Sequence, residues 1–219
     1  MSFEALIKVG GSLCSQPELR TYARQWAAAA ARRRLLFIAG GGIIADQIRM
    51  LAAGLKLGDS AAHWMAILAM DQSAYLLADC APEAVLTHDL AVAAQAAAAG
   101  HMAILAPSTL LRQTDPLPHS WQVTSDSLAA WLAGYAGIEL LVLLKDVAGV
   151  FSEDPRRQQS SLLSEVVRTD LARFQVVDDY FRQALPANVT CWLLDGQQPE
   201  RLLALLAKRR TLGTRITQS

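Results

Sequence analysis

Short, almost wholly apolar runs recur along the chain, each closed by glycine, proline or a cluster of small polar residues. Such runs predict strands buried on both faces rather than alternating half-exposed ones. They fall at residues 3–9, 35–39, 103–105, 140–144 and 189–194. Between and after them, apolar residues return at helical spacing. Over 60–79, for example, Met65, Leu68, Ala69, Gln72 and Leu76 fall on one stripe. The same reading predicts helices at 19–34, from about 43, and at 89–99, 125–135, 177–185 and 199–208. Strands alternating with helices imply an α/β fold, with a mainly parallel central sheet sandwiched by helices. The polar stretch 152–163 reads as a loop and is the one candidate break in the chain.

Composition narrows the class. In 219 residues, 53% are hydrophobic and 18% charged, too apolar for a disordered chain. A chain of this length buries well over half of its unfolded surface and is expected to form one domain, 1–219. Twenty acidic and twenty basic side chains cancel, which argues against nucleic acid or an anionic membrane as the main partner. Basic spots remain at 32–34, at Arg156 with Arg157, and at 208–210. Three separated cysteines lack disulfide or zinc-ligand spacing, so no metal site is expected and a reducing, cytoplasmic setting is. The start of the sequence has neither the basic opening nor the long apolar run of a signal peptide. The uncharged stretch 90–111 approaches the ~20 residues of a membrane span, but Gly100 and Pro107 break it into a helix and a strand.

Three segments share the form of buried strand, small-residue turn and helix. They end in Gly10-Gly11-Ser12, Gly40-Gly41-Gly42 and Thr124-Ser125-Asp126-Ser127. In open α/β sheets, ligands sit beyond the carboxyl ends of the strands. There, glycine lets backbone N–H groups approach an anion, helped by the helix dipole. Neither glycine cluster fits G-x-x-x-x-G-K-[ST] or G-x-G-x-x-G, which disfavours a P-loop or a dinucleotide fold. Lys8, inside an otherwise apolar strand, is costly to bury unless an anion meets it. Met50, Met65 and Met70 read as core filler. Trp131 is expected in the core, whereas Trp64 and Trp121 are candidates to stack on a ring.

Five motifs then occur in order: 7–12, Gly40-Gly41-Gly42 with Asp46, 123–129, 145–150, and 213–216. In that order they resemble the amino acid kinase superfamily along nearly the whole chain. Within it, 63–72, Trp121 and 195–201 resemble the small kinases of methanofuran-type cofactor synthesis, which act on an aminomethylfuran-methyl phosphate. The resemblance implies an ATP-dependent kinase using magnesium. It implies an acceptor lobe at about 1–120, a nucleotide lobe at about 121–219, and a homodimer or higher homo-oligomer. By the same likeness, Lys8 would touch the phosphoryl group in flight, with Asp126 orienting it. Gly10, Gly11 and Ser12, together with Lys145, Asp146 and Gly149, would hold the nucleotide. Gly40, Gly41 and Gly42 would serve the acceptor side, with Asp46, His63 and Asp71 there as well. Asp59 is a further acidic candidate for a cationic acceptor, and for His63 the competing reading is a satisfied core histidine.

Two departures stand out. Ala148 occupies a position where many relatives carry aspartate, and 174–186 lacks the late lysine that many superfamily members use. Lys145, Arg182 or magnesium would stand in for that lysine, and Lys145 is the preferred substitute. The substrate expected first is the furan phosphate monoester. Alternatives are a nucleoside monophosphate, isopentenyl phosphate or an amino acid carboxylate as acceptor, or a non-catalytic nucleotide- or oxyanion-binding protein.

Overall fold

The computed structural model describes residues 3–153 and 160–218. Arg156 and Arg157, with half of the 152–163 stretch, lie outside them. In chain order the elements begin β1 (Ala5–Val9), α1 (Gly11–Cys14), α2 (Leu19–Ala30), β2 (Leu35–Ala39), α3 (Gly42–Leu55) and α4 (Asp59–Cys80). Next come β3 (Val85–Thr87), α5 (Leu90–Ala98), β4 (Ala103–Leu105), α6 (Ser108–Thr114), α7 (Ser125–Tyr135) and β5 (Leu140–Lys145). The chain closes with β6 (Glu165–Val167), a 3₁₀ turn (Arg168–Arg173), α8 (Phe181–Ala184), β7 (Thr190–Asp195), α9 (Pro199–Leu206) and β8 (Thr214–Thr217).

Among the described residues, eight strands form one sheet in the order β3-β4-β2-β1-β5-β7-β8-β6. All pairings are parallel except β7 with β8, so the β8–β6 edge runs against the rest. The alternation of side chains divides the core in two. Leu6, Ile38, Leu141 and Leu143 enter the face covered by α5 and α7. Ile7, Phe37, Val142 and Leu144 enter the face covered by α2 and α9. The apolar runs thus have no solvent face, which is why they read as continuous.

Four expectations change. Strands β3, β6 and β8 were not foreseen; each has only three or four residues and is less than fully buried. The expected helix 177–185 is only Phe181–Ala184, because Asp178 is used as a cap elsewhere. The 152–163 loop has paired ends, with Phe151 bridging Leu162 in antiparallel sense. Met50 lies exposed on α3 rather than in the core. Among the described residues, no helix is long and apolar enough to cross a membrane.

Candidate active site

Strand register and alternation position the charged centre. Lys8 has the same parity as Leu6, so it enters the face beneath α7. On the neighbouring strand Leu143 pairs with Lys8. Lys145, two residues further, therefore emerges on that same face at the carboxyl end of β5. Helix α7 begins at Ser125 with Thr124 as its N-cap, which delivers Asp126 between the two strand ends. Asp126 bridges both lysines: its Oδ2 accepts from Lys145 Nζ at 2.5 Å, and its Oδ1 meets Lys8 Nζ at 2.9 Å.

This bridge is buried, with Lys8 at 3% and Asp126 at 4% exposure. Burial alone would push the Asp126 carboxyl up, but the two ammonium groups outweigh it and hold it down to about 2. For Lys8, burial pulls the ammonium below its ordinary value; Asp126 opposes that shift and Lys145 adds to it. Two cations and one anion leave the cluster one positive charge in excess. A buried excess charge is costly without a partner, so the centre favours an incoming anion.

The two glycine turns meet over this centre. A side chain on Gly11 would place its Cβ 2.1 Å from Gly42 N, and Gly42 itself has φ +52°. Only glycine permits this approach, and at Gly42 only glycine takes that backbone without strain. Gly10 and Gly41 occupy the N-cap positions of α1 and α3 and provide no side-chain cap, leaving the first N–H groups for other acceptors. A cavity of about 270 Å³ opens here, lined by Lys8, Gly11, Ser12, Gly41, Gly42, Asp126 and Lys145.

Its far wall comes from α3, α4 and the segment before α7. Asp46 and Arg49, one turn apart on α3, pair at 3.0 Å. The Arg49 guanidinium lies over the Trp121 ring, 4.8 Å from its centroid. His63 also lines the cavity and stacks on His119 at 4.4 Å. His119 is itself held, through Nδ1 to Ser60 Oγ and through Nε2 to Asp115 Oδ1, each at 2.8 Å. Desolvation keeps the His63 imidazole below its ordinary pKa, and His119 adds to that.

Other sequence-derived candidates lie elsewhere. Asp71, expected beside the acceptor, is turned toward α6, where it accepts from Ser108 N at 3.1 Å and from the Ser108 hydroxyl. It is a buried cap for that helix and does not line the cavity; Asp59 does not line it either. Gly10 and Gly40 sit behind the lining, packed against Leu144 O and Ser125 Oγ. Asp146 is exposed at the turn after β5. Gly149 lines a second cavity of about 780 Å³, with Val147, Phe151 and Phe174. Thr214, from the last motif, pins this region: its hydroxyl accepts from Val150 N and donates to Leu163 O. Arg182 donates to Thr169 O and stands apart from the Lys8 centre. Trp131 is half-buried and stacks on Tyr135 at 4.9 Å.

Sequence reasoning missed Arg49 and Asp178. Arg49 was detectable as the helical neighbour of Asp46, since positions three apart share a face. Asp178 carries no local signal. Its carboxylate reaches back to the start of α7, accepting from Thr124 N, Thr124 Oγ1 and Ser127 N.

The fold and sequence have known counterparts. Over 98% of this chain and 100% of the other, the fold matches the uridylate kinase of Archaeoglobus fulgidus, with a TM-score of 0.76 at 19% identity. It matches the UMP kinase of Ureaplasma parvum equally, TM-score 0.76 at 17% identity, over the full length of both chains. In sequence, the chain is 27% identical over 213 residues, 96% of each protein, to the [5-(aminomethyl)furan-3-yl]methyl phosphate kinase of Methanocaldococcus jannaschii. The family model described as "Amino acid kinase family" matches residues 5–182, from the first strand into the start of α8. That span includes both glycine turns and the whole lysine–aspartate–lysine bridge, and the chain belongs to the amino acid kinase family.

Proposed function

We propose that this kinase transfers the γ-phosphoryl group of ATP, brought in with magnesium, to a small phosphate monoester. The first candidate is [5-(aminomethyl)furan-3-yl]methyl phosphate, which would become its diphosphate in the cytoplasm. An acceptor phosphate oxygen bonds to the γ-phosphorus, the bond to the β–γ bridging oxygen breaks, and ADP leaves. The observation that carries this reading is the buried Lys8–Asp126–Lys145 bridge, with its excess positive charge between two glycine turns. Phosphoryl transfer asks mainly for alignment and fixed positive charge around the moving oxygens, and this centre supplies both.

The state of Asp126 narrows the acceptor. A carboxylate held to about 2 takes up no proton near neutrality, so it does not serve as a general base. An acceptor that arrives already ionised needs no base there. A phosphate monoester does so, with its second pKa at ~6. On the far wall, Arg49 suits the acceptor phosphate, Asp46 suits an ammonium group, and Trp121 offers a face to a flat ring. This acid–base pairing favours the aminomethylfuran ester over uridylate, which has no cationic group. Lys145 takes the place of the absent late lysine. The nucleotide would lie on the later half of the chain, with its base toward the second cavity near Gly149 and Phe151. Magnesium would be carried on the nucleotide phosphates rather than in a dedicated protein cage.

Exposed apolar side chains on α3 and α4, Ile43, Leu51, Leu55, Tyr75 and Leu76, support a homodimer. Sedimentation as a monomer would remove that part of the reading. The activity itself is tested by ADP release with Mg·ATP against the furan phosphate, UMP, isopentenyl phosphate and glutamate. Turnover on the furan phosphate is expected. Turnover confined to UMP or to a carboxylate would reassign the acceptor, and tight ATP binding without turnover would make the protein a binder.

A further inference from the structure

Helix α7 carries the bridging Asp126 in its first turn, yet its own cap is weak: Thr124 Oγ1 lies 3.5 Å from Asp126 N. The groups that hold this turn come from far along the chain. Asp178 Oδ2 accepts from Thr124 N at 3.0 Å, from Thr124 Oγ1 at 2.7 Å and from Ser127 N at 3.0 Å. The Ser127 hydroxyl, fully buried, donates to Asp178 Oδ1. One carboxylate therefore clamps the residues on both sides of Asp126 and adds negative charge at the helix N-terminus. Tyr180 N, two residues on, donates to Gln122 O at 3.2 Å and ties the same two segments again.

We propose that Asp178 is a positioning residue for phosphoryl transfer: it holds the first turn of α7 in the place that lets Asp126 bridge Lys8 and Lys145. The inference rests on the reading that these lysines act on the phosphoryl group. Asp126 spans two ammonium groups at 2.5 and 2.9 Å, and a carboxylate has no slack to keep both if its helix start moves. Without Asp178, Thr124 N and Ser127 N lose their partner, and the first turn must shift or take up water.

Asp178→Asn and Asp178→Ala separate shape from mere presence. In D178N the amide oxygen can replace Oδ2, and the amide NH₂ can donate to the Ser127 hydroxyl, which is free to turn. In D178A all four bonds are lost. Two readouts are compared with wild type: turnover on the acceptor that the ADP-release panel identifies, and the titration of the Lys8 ammonium followed by ¹⁵N NMR. In D178A, kcat is expected to fall ~10–100-fold, the size of effect that a ~1 Å misplacement produces. The Lys8 ammonium should titrate about one pH unit lower, because its counter-charge is displaced. D178N should recover most of both. A merely structural role would lower thermal stability but leave the Lys8 titration of the folded fraction unmoved.

A folded D178A with wild-type Lys8 titration overturns the proposal, as does a D178N no better than D178A. A shifted titration with unchanged turnover leaves Asp178 as the holder of Asp126 and removes the lysines from the chemistry instead. If D178A does not fold, Ser127→Ala, which drops one of the four donors, should shift the titration in the same direction by less. No shift there overturns the proposal.

Discussion

Replacing Lys8 by methionine keeps much of the side-chain volume, removes the charge, and tests the centre directly. Lys8 Nζ stands 2.9 Å from Asp126, on the wall of the cavity. A unit charge ~3.5 Å from a phosphoryl oxygen is worth about 5 kcal/mol at the effective dielectric of ~20 that suits such sites. Part of that is offset by the burial that already lowers the Lys8 pKa. Loss of one preorganised donor costs ~2.7–4 kcal/mol in comparable sites, so kcat should fall ~10²–10³-fold. Stability should suffer less than the ~3–5 kcal/mol of an orphaned buried charge, because Asp126 keeps Lys145 at 2.5 Å. That limits the drop in Tm to roughly 10 °C for a chain of this size.

The assay is steady-state ADP release at saturating substrates, with Tm measured on the same preparation and the rate followed from pH 6 upward. With the acceptor varied below saturation, the wild-type kcat/KM, which reports the free enzyme, should fall on the alkaline side at a pH below the ordinary lysine value of 10.5, as Lys8 loses its proton. The stability contribution of Lys8 runs the other way. Over that interval the unfolded chain holds the proton that the native state releases, so the native state gains as pH rises. A folded K8M enzyme with kcat within about threefold of wild type would refute the reasoning, since no transition-state contact would then have been lost.

Three further outcomes follow from the same geometry. Arg49→Met should raise KM for a phosphate-bearing acceptor about tenfold or more while sparing KM for ATP, as loss of a charged hydrogen bond predicts; equal changes in both would move the acceptor elsewhere. Gly11→Ala drives a Cβ to 2.1 Å from Gly42 N, a backbone atom, so activity and several degrees of Tm should be lost together; a wild-type melting curve would show the turns to be looser than described. Asp126, held at about 2 against an ordinary 3.8, contributes stability above pH 3.8 that is lost as pH falls toward 2. That contribution is on the order of 2 kcal/mol, and urea unfolding of wild type against Asp126→Asn between pH 5 and 2 measures it.

Features that depend on neighbours along the chain were legible in the residues alone. Continuous apolar runs and glycine-rich ends specified the central strands β1, β2, β4, β5 and β7 and the turns after the first two, because a doubly buried strand tolerates no polar face. The misfit of Lys8 in such a run marked the centre, since an ammonium there needs a counter-charge. Partners that folding brings together from a distance carry no such local mark. Asp71 had the right charge on the right helix, but helix packing turned it to Ser108, while Asp46 faces the cavity. Asp178 sits more than fifty positions from Ser127 and meets it only because α8 packs beside α7. The reversed β8 edge has too few residues to announce itself and forms because β7 is there to pair with it. Periodicity tells which face a side chain takes within its own element, whereas the group it meets across a packed interface is set by where the other elements come to rest.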